Sequence, residues 1–88
     1  MNLDDFEKHR IELAKPLLLI RAKGGILACG YLNVATFNKT GEACAIVTGV
    51  SDFTEMTAAP VVAASDAAIG RGVVVGEPGS AALAKFDA

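Results

Sequence analysis

Two runs of apolar residues, Ile26–Leu32 and Ala43–Val50, are separated by about ten residues that open on Asn33. That spacing predicts a strand-helix-strand unit, since a crossover between neighbouring parallel strands needs a connection of this size or more. Ala43–Val50 carries no charge and is β-branched at Ile46, Val47, Thr48 and Val50, as suits a strand covered on both faces. Upstream, Leu17–Lys23 (LLLIRAK) reads as a further strand that starts directly after Pro16. Between these runs stands Lys23-Gly24-Gly25-Ile26, where two glycines could take the positive φ values of a tight hairpin turn. A Gly24-Gly25 loop would set Ile20 opposite Cys29, Leu18 opposite Tyr31 and Ala22 opposite Leu27. One hairpin face would then hold Leu18, Ile20, Ala22, Leu27, Cys29 and Tyr31. The other would hold Leu17, Leu19, Ile26, Ala28, Gly30 and Leu32, with Arg21 and Lys23 only toward the turn, so both faces are substantially apolar.

The remaining elements are short. Asn33 is placed to cap a helix that stops at Gly41. Asp52 with Glu55 three residues on forms a capping-box pattern for a helix reaching Ala59, and Pro60 ends it. Val61–Ala64 follows as a strand, Ser65-Asp66 as a cap for a brief helical turn, and Val73–Val75 as a last edge strand. Leu83 and Phe86 lie three apart on the inner side of a terminal helix starting near Ser80. Ile11 and Leu13 alternate with charged neighbours, as an exposed strand would. The expected fold is α/β: an N-terminal β-hairpin region, residues 1–32, followed over 33–88 by βαβαβ-type units in a mixed sheet with short helices, all in one domain spanning 1–88.

Composition adds a constraint on assembly. A chain of 88 residues removes only about 60–65% of its unfolded surface from water. Yet 52% of its residues are hydrophobic and 20% charged, so the two-faced hairpin is expected to meet another copy in a homo-oligomer. The net charge of −2, without any local Lys/Arg cluster, argues against nucleic acid as a partner. The start MNLDDFEKHR is acidic and polar where a signal peptide is basic then apolar, and no apolar run reaches the length of a membrane span. A cytoplasmic protein with no membrane association is therefore expected. Cys29 and Cys44 are then reduced thiols.

Candidate chemistry gathers at strand ends. Ligands in open parallel sheets bind beyond the carboxyl ends of the strands, where helix N-termini begin. If the three strands are parallel neighbours, Asn33, Thr48, Ser51, Asp52, Ser65 and Asp66 converge there as a ligand-binding edge. The alternative is that Asn33, Asp52 and Ser65 or Asp66 only cap helices. Cys29 is the candidate nucleophile, four residues before a helix start; the competing reading makes it a packed structural thiol. Only one histidine, His9, is available to activate it. Cys44, in the apolar run, is expected to act as a small hydrophobe. His9, Cys29 and Cys44 lack the paired spacings of a metal module, so no metal or cofactor is expected. Gly70-Arg71-Gly72 and Gly76-Glu77-Pro78-Gly79 match no phosphate-loop pattern and read as turns. Two functions remain: a non-enzymatic domain that binds a small ligand or a protein partner, or a small enzyme with a reactive thiol at Cys29.

The run KPLLLIRAKGGILACGYLNVATFNKTGEACAIVTGV, followed by DFTEMTAAPVVAASDAAIG, resembles the YunC-like family of small bacterial and archaeal domains of unknown function. The likeness spans roughly residues 15–83 and is most specific at Cys29-Gly30-Tyr31-Leu32-Asn33 and Val47-Thr48-Gly49-Val50. It implies an α/β subunit whose N-terminal β region drives assembly into a tetramer, and it transfers no catalytic residue. The chain departs from the family pattern at Glu77-Pro78-Gly79-Ser80, where a Ser or Thr cap is expected, so its last helix should be poorly capped.

Overall fold

The computed structural model describes residues 3–87. A short 3-10 turn, Leu3–Asp5, leads into strand β1, Glu7–Ile11, which is exposed at alternate and adjacent positions alike. Strands β2 (Leu17–Ala22) and β3 (Gly25–Ala28) follow as a hairpin. Helix α1 (Val34–Thr40) carries the chain to β4 (Cys44–Ile46), and α2 (Phe53–Ala58) to β5 (Ala63–Ala64). Helices α3 (Asp66–Gly70) and α4 (Gly79–Phe86) complete the order. The strands form one five-stranded sheet in chain order. Only β3 and β4 run parallel; the pairs β1-β2, β2-β3 and β4-β5 are antiparallel. The fold is thus a mixed α/β sheet with short helices.

Local chemistry accounts for the helix starts. The Asn33 side chain accepts from Ala35 N–H at 2.8 Å, and Gly41 closes α1 with φ of 78°. Asp52 Oδ1 accepts from Glu55 N–H at 2.7 Å while Glu55 Oε1 accepts from Ser51 N–H at 2.6 Å, a reciprocal pair at the head of α2. Helix α4 begins after Pro78 with no side-chain cap. That absence matches the departure noted at Glu77–Ser80.

The hairpin differs from expectation in register and in the role of its glycines. Its loop is Lys23-Gly24, so Ala22 pairs with Gly25 and Ile20 with Leu27. A slip of two residues leaves the same side chains on the same faces, because the side-chain period is two. Neither Gly24 nor Gly25 takes a positive φ. What glycine supplies here is space: a Cβ on Gly25 would sit 2.5 Å from the Phe86 ring, and one on Gly24 would sit 2.8 Å from the Phe86 carbonyl oxygen. The Gly24 N–H donates to that same oxygen at 2.7 Å, which docks the hairpin turn on the end of α4.

Both faces of the sheet carry apolar clusters. Leu18, Ile20, Leu27 and Cys29 join Ala45, Val47, Met56, Leu83 and Phe86 in the larger core, under α2 and α4. On the other face Ala28, Cys44 and Ile46 pack with Leu19, Ile26, Val34 and Phe37, under α1. Strand β4 is therefore buried on both sides, as its uncharged run predicts. The second face of the hairpin is covered within the chain by one short helix, and beyond it Ile11 is 54% exposed on the edge strand.

Several predicted strands are shorter or absent, and of Val61–Ala64 only Ala63–Ala64 remains as β5. Strand β3 ends at Ala28 because the Leu32 N–H turns back to the Cys29 carbonyl. Strand β4 ends at Ile46, and Gly49, at φ of 71°, bends the chain away from extended geometry. Val73–Val75 is no strand: Val73 N–H donates to Ala68 O and Glu77 N–H to Val74 O, so the segment closes turns.

Candidate functional site

Because β3 and β4 are parallel, their carboxyl ends share one edge of the sheet. Beyond that edge the β1–β2 connection passes beside the segments leaving both strands. It is tied there by Lys15 N–H to the Tyr31 hydroxyl oxygen at 3.3 Å, and at the start of β2 the Leu18 N–H donates to Cys29 Sγ at 3.3 Å. Residues 14–16, 29–31 and 49–50 enclose a cleft of about 280 Å³. Its walls are mostly apolar, and Lys15 is the only charged residue among those lining it.

Of the residues expected at this edge, Cys29 alone lines the cleft. It is 4% exposed and packed in the larger core. Helix α1, whose start lies four residues on, packs against the opposite face of the sheet, so it does not serve to activate the thiol. His9 is also on the opposite face, paired in register with Leu19, and its Nε2 lies 2.5 Å from Glu7 Oε2. No Cys-His pair forms.

Thr48 is exposed beside the cleft, its methyl 3.2 Å from where a Gly30 Cβ would stand. Asn33 and Asp52 cap α1 and α2 and are exposed; Ser51 binds Glu55 through its N–H and receives Arg10 Nη1 on its carbonyl at 3.1 Å. Ser65 and Asp66 do not join them. Strand β5 is antiparallel to β4, so its carboxyl end lies at the other end of the sheet and the expected convergence of three parallel strands does not occur.

Ser65 has a clear structural task there. Fully buried, its Oγ accepts from Cys44 N–H at 2.9 Å and Ala68 N–H at 3.3 Å and donates to Glu42 O at 2.9 Å. Ser65→Ala should cost about 1–3 kcal/mol, as a buried N–H loses its acceptor and α3 its cap. A urea unfolding midpoint checks this; an unchanged midpoint would show these bonds to be replaceable. Asp66 is exposed, and its N–H donates to Asn38 Oδ1 at 2.8 Å.

Cys44 behaves as a buried apolar group. Burial, with a smaller contribution from Glu42, pushes its thiol pKa up from 9.0 to about 12. The unfolded chain loses this proton near 9 and the native one near 12, so between those values the unfolded state binds fewer protons and stability falls as pH rises. Below the lower value the contribution is constant. Comparing urea midpoints at about pH 7 and about pH 10.5, Cys44→Ala should flatten this alkaline decline. An equal decline in both proteins would assign it to other groups.

Sequence reasoning missed Ala14, Lys15, Pro16 and Gly30 as cleft residues, and it placed Tyr31, Gly49 and Val50 at the strands' carboxyl ends without proposing them as ligand contacts. Tyr31 was expected opposite Leu18 in the packed face; it lies past the end of β3 and is 49% exposed. Pro16, which ends the loop before β2, and the two glycines flanking strand ends were the available signals. Among the described residues, no three His, Cys, Asp or Glu side chains come together to hold a metal ion, and no helix is long and apolar enough to cross a membrane.

Comparison with solved structures finds the crystal structure of a protein of unknown function, TA1206, from Thermoplasma acidophilum. It is 31% identical to this chain, with a TM-score of 0.79 over 92% of each chain. None of the curated proteins matches. Residues 28–86 match the model of a domain of unknown function, DUF1805, a span that takes in two of the three cleft segments and every helix. The chain therefore belongs to the DUF1805 family.

Proposed function

We propose that this chain is a YunC-like, cytoplasmic, homo-oligomeric domain that binds a small ligand in the cleft at the carboxyl ends of β3 and β4, without catalysis. The observation that carries this reading is the cleft itself. Its volume of about 280 Å³ is just below the usual range of small-molecule sites, which suits a small ligand, and it occupies the edge of the sheet where such sites form. Its lining is largely apolar with a few polar groups, the composition of small-molecule sites. Neither a nucleic acid nor a membrane is the partner in this reading, in keeping with the net charge of −2.

Titrating isotope-labelled protein with a fragment library by NMR tests the site. Shifts should concentrate on the amides of Gly30, Tyr31, Gly49 and Val50; shifts confined to other regions would overturn it. Assembly is supported by Ile11 and Leu13, both about half exposed at the β1 edge, and by the resemblance that assigns tetramer formation to the N-terminal β region. Light scattering on the eluting protein should give a tetramer, and a monomer at micromolar concentration would contradict it.

An enzymatic reading with Cys29 as nucleophile draws on one observation, that Cys29 lines the cleft. It lacks a base: His9 is on the other face of the sheet, bound to Glu7.

A further inference from the structure

We propose that the cleft selects a small organic carboxylate, with the anionic end held by backbone N–H groups and Lys15 and an apolar body against Pro16, Tyr31 and Val50. This rests on the ligand-binding reading above and specifies its ligand class. Among the described residues, the backbone N–H groups of Gly30, Tyr31, Gly49 and Val50 donate to no protein acceptor. Each belongs to a residue lining the cleft. A backbone N–H is an obligatory donor, and several left together form an anion-binding surface when chain geometry groups them.

The side chains reinforce the same sign. Lys15 makes no ion pair among the described residues, and no Asp or Glu lines the cleft. The Tyr31 hydroxyl already accepts from Lys15 N–H, which leaves its own proton to donate. Among the described residues, the backbone carbonyls of Gly30, Tyr31, Gly49 and Val50 are as unpaired as their N–H groups, so the sign is set by the side chains: Lys15 and the Tyr31 hydroxyl are donors, the one charge lining the cleft is positive, and a ligand that meets them brings acceptors and negative charge. Inorganic anions would satisfy the donors but leave the apolar walls of Pro16, Val50 and the Tyr31 ring against water, so a carboxylate on a hydrocarbon or aromatic body fits better.

The test is an NMR titration with sodium benzoate, benzyl alcohol and inorganic phosphate at constant ionic strength. Benzoate should shift the Gly30, Tyr31, Gly49 and Val50 amides saturably, with benzyl alcohol at least about tenfold weaker, since bonds to charged acceptors are the stronger ones. Lys15→Gln, at an exposed position, should weaken benzoate by about fivefold or more and leave benzyl alcohol unchanged. Equal binding of benzoate and benzyl alcohol would overturn the carboxylate selectivity while the ligand site stands. Phosphate binding as tightly as benzoate would overturn the role of the apolar walls. If none of the three probes moves these amides while other fragments do, the ligand class is wrong; if no fragment moves them, the binding reading itself fails.

Discussion

Replacing Gly79 by alanine is expected to remove about 3 kcal/mol or more of stability, the largest effect of any single methyl group added to this chain. A Cβ at that position would lie 2.2 Å from the Met56 carbonyl oxygen and 2.9 Å from Leu27 Cδ2. Met56 and Leu27 are both fully buried, and the Gly79 N–H is held by Ala59 O at 2.9 Å, so neither side has room to give. The methyl must push the start of α4 away from the end of α2, which opens the core that both cover. Thermal unfolding should drop by roughly 12–24 °C, taking about 4–8 °C per kcal/mol for a chain of this size. Gly70→Ala is the control: nothing lies within 4 Å of its Cβ position, and its effect should be near zero or slightly favourable. A Gly79→Ala protein within about 1 kcal/mol of wild type would show that the α2–α4 contact is far looser than described.

The second large effect centres on Phe86. Fully buried at the last position of α4, its truncation to alanine should cost about 3–5 kcal/mol. The ring also occupies the space above Gly25, so Gly25→Ala should be costly in the wild-type background, by about 1–3 kcal/mol. In Phe86→Leu the flat ring is gone, and the penalty of Gly25→Ala should shrink. A double-mutant cycle from urea unfolding should therefore give a coupling of at least about 1 kcal/mol, as expected for side chains in direct contact. Additive costs would show that the hairpin turn and the end of α4 do not press on each other.

These two positions mark what the sequence could and could not show. Asn33, Asp52 and Ser65 were legible as caps because capping is local: a side chain bonds an N–H two or three residues away, wherever the helix sits. The hairpin faces were legible because alternation survives a slip of two residues, and Leu18, Ile20 and Leu27 reach the core in either register. The use of Gly24 and Gly25 was not, because space for Phe86 is set by packing across 60 residues of chain, whereas a turn preference is local. The direction of β5 was equally hidden. Val61–Ala64 reads alike in either orientation, and the antiparallel pairing of Ala63 with Ile46 sends Ser65 and Asp66 away from the candidate site. The cleft was only partly readable. Its position past β3 and β4 follows from a parallel pair, but Lys15 enters it through the β1–β2 connection, whose path no local pattern specifies, and meets Tyr31 there.

In the proposed reading Cys29 is a wall of the cleft and not a nucleophile. Native-state alkylation with iodoacetamide at neutral pH, followed by intact and peptide mass, tests it most directly. Cys29, 4% exposed and holding the Leu18 N–H, should react at least about tenfold more slowly than the same thiol in the urea-unfolded chain, its access limited by local opening. Alkylation of Cys29 in the native protein as fast as, or faster than, in the unfolded chain would contradict the account and restore the thiol as the reactive centre.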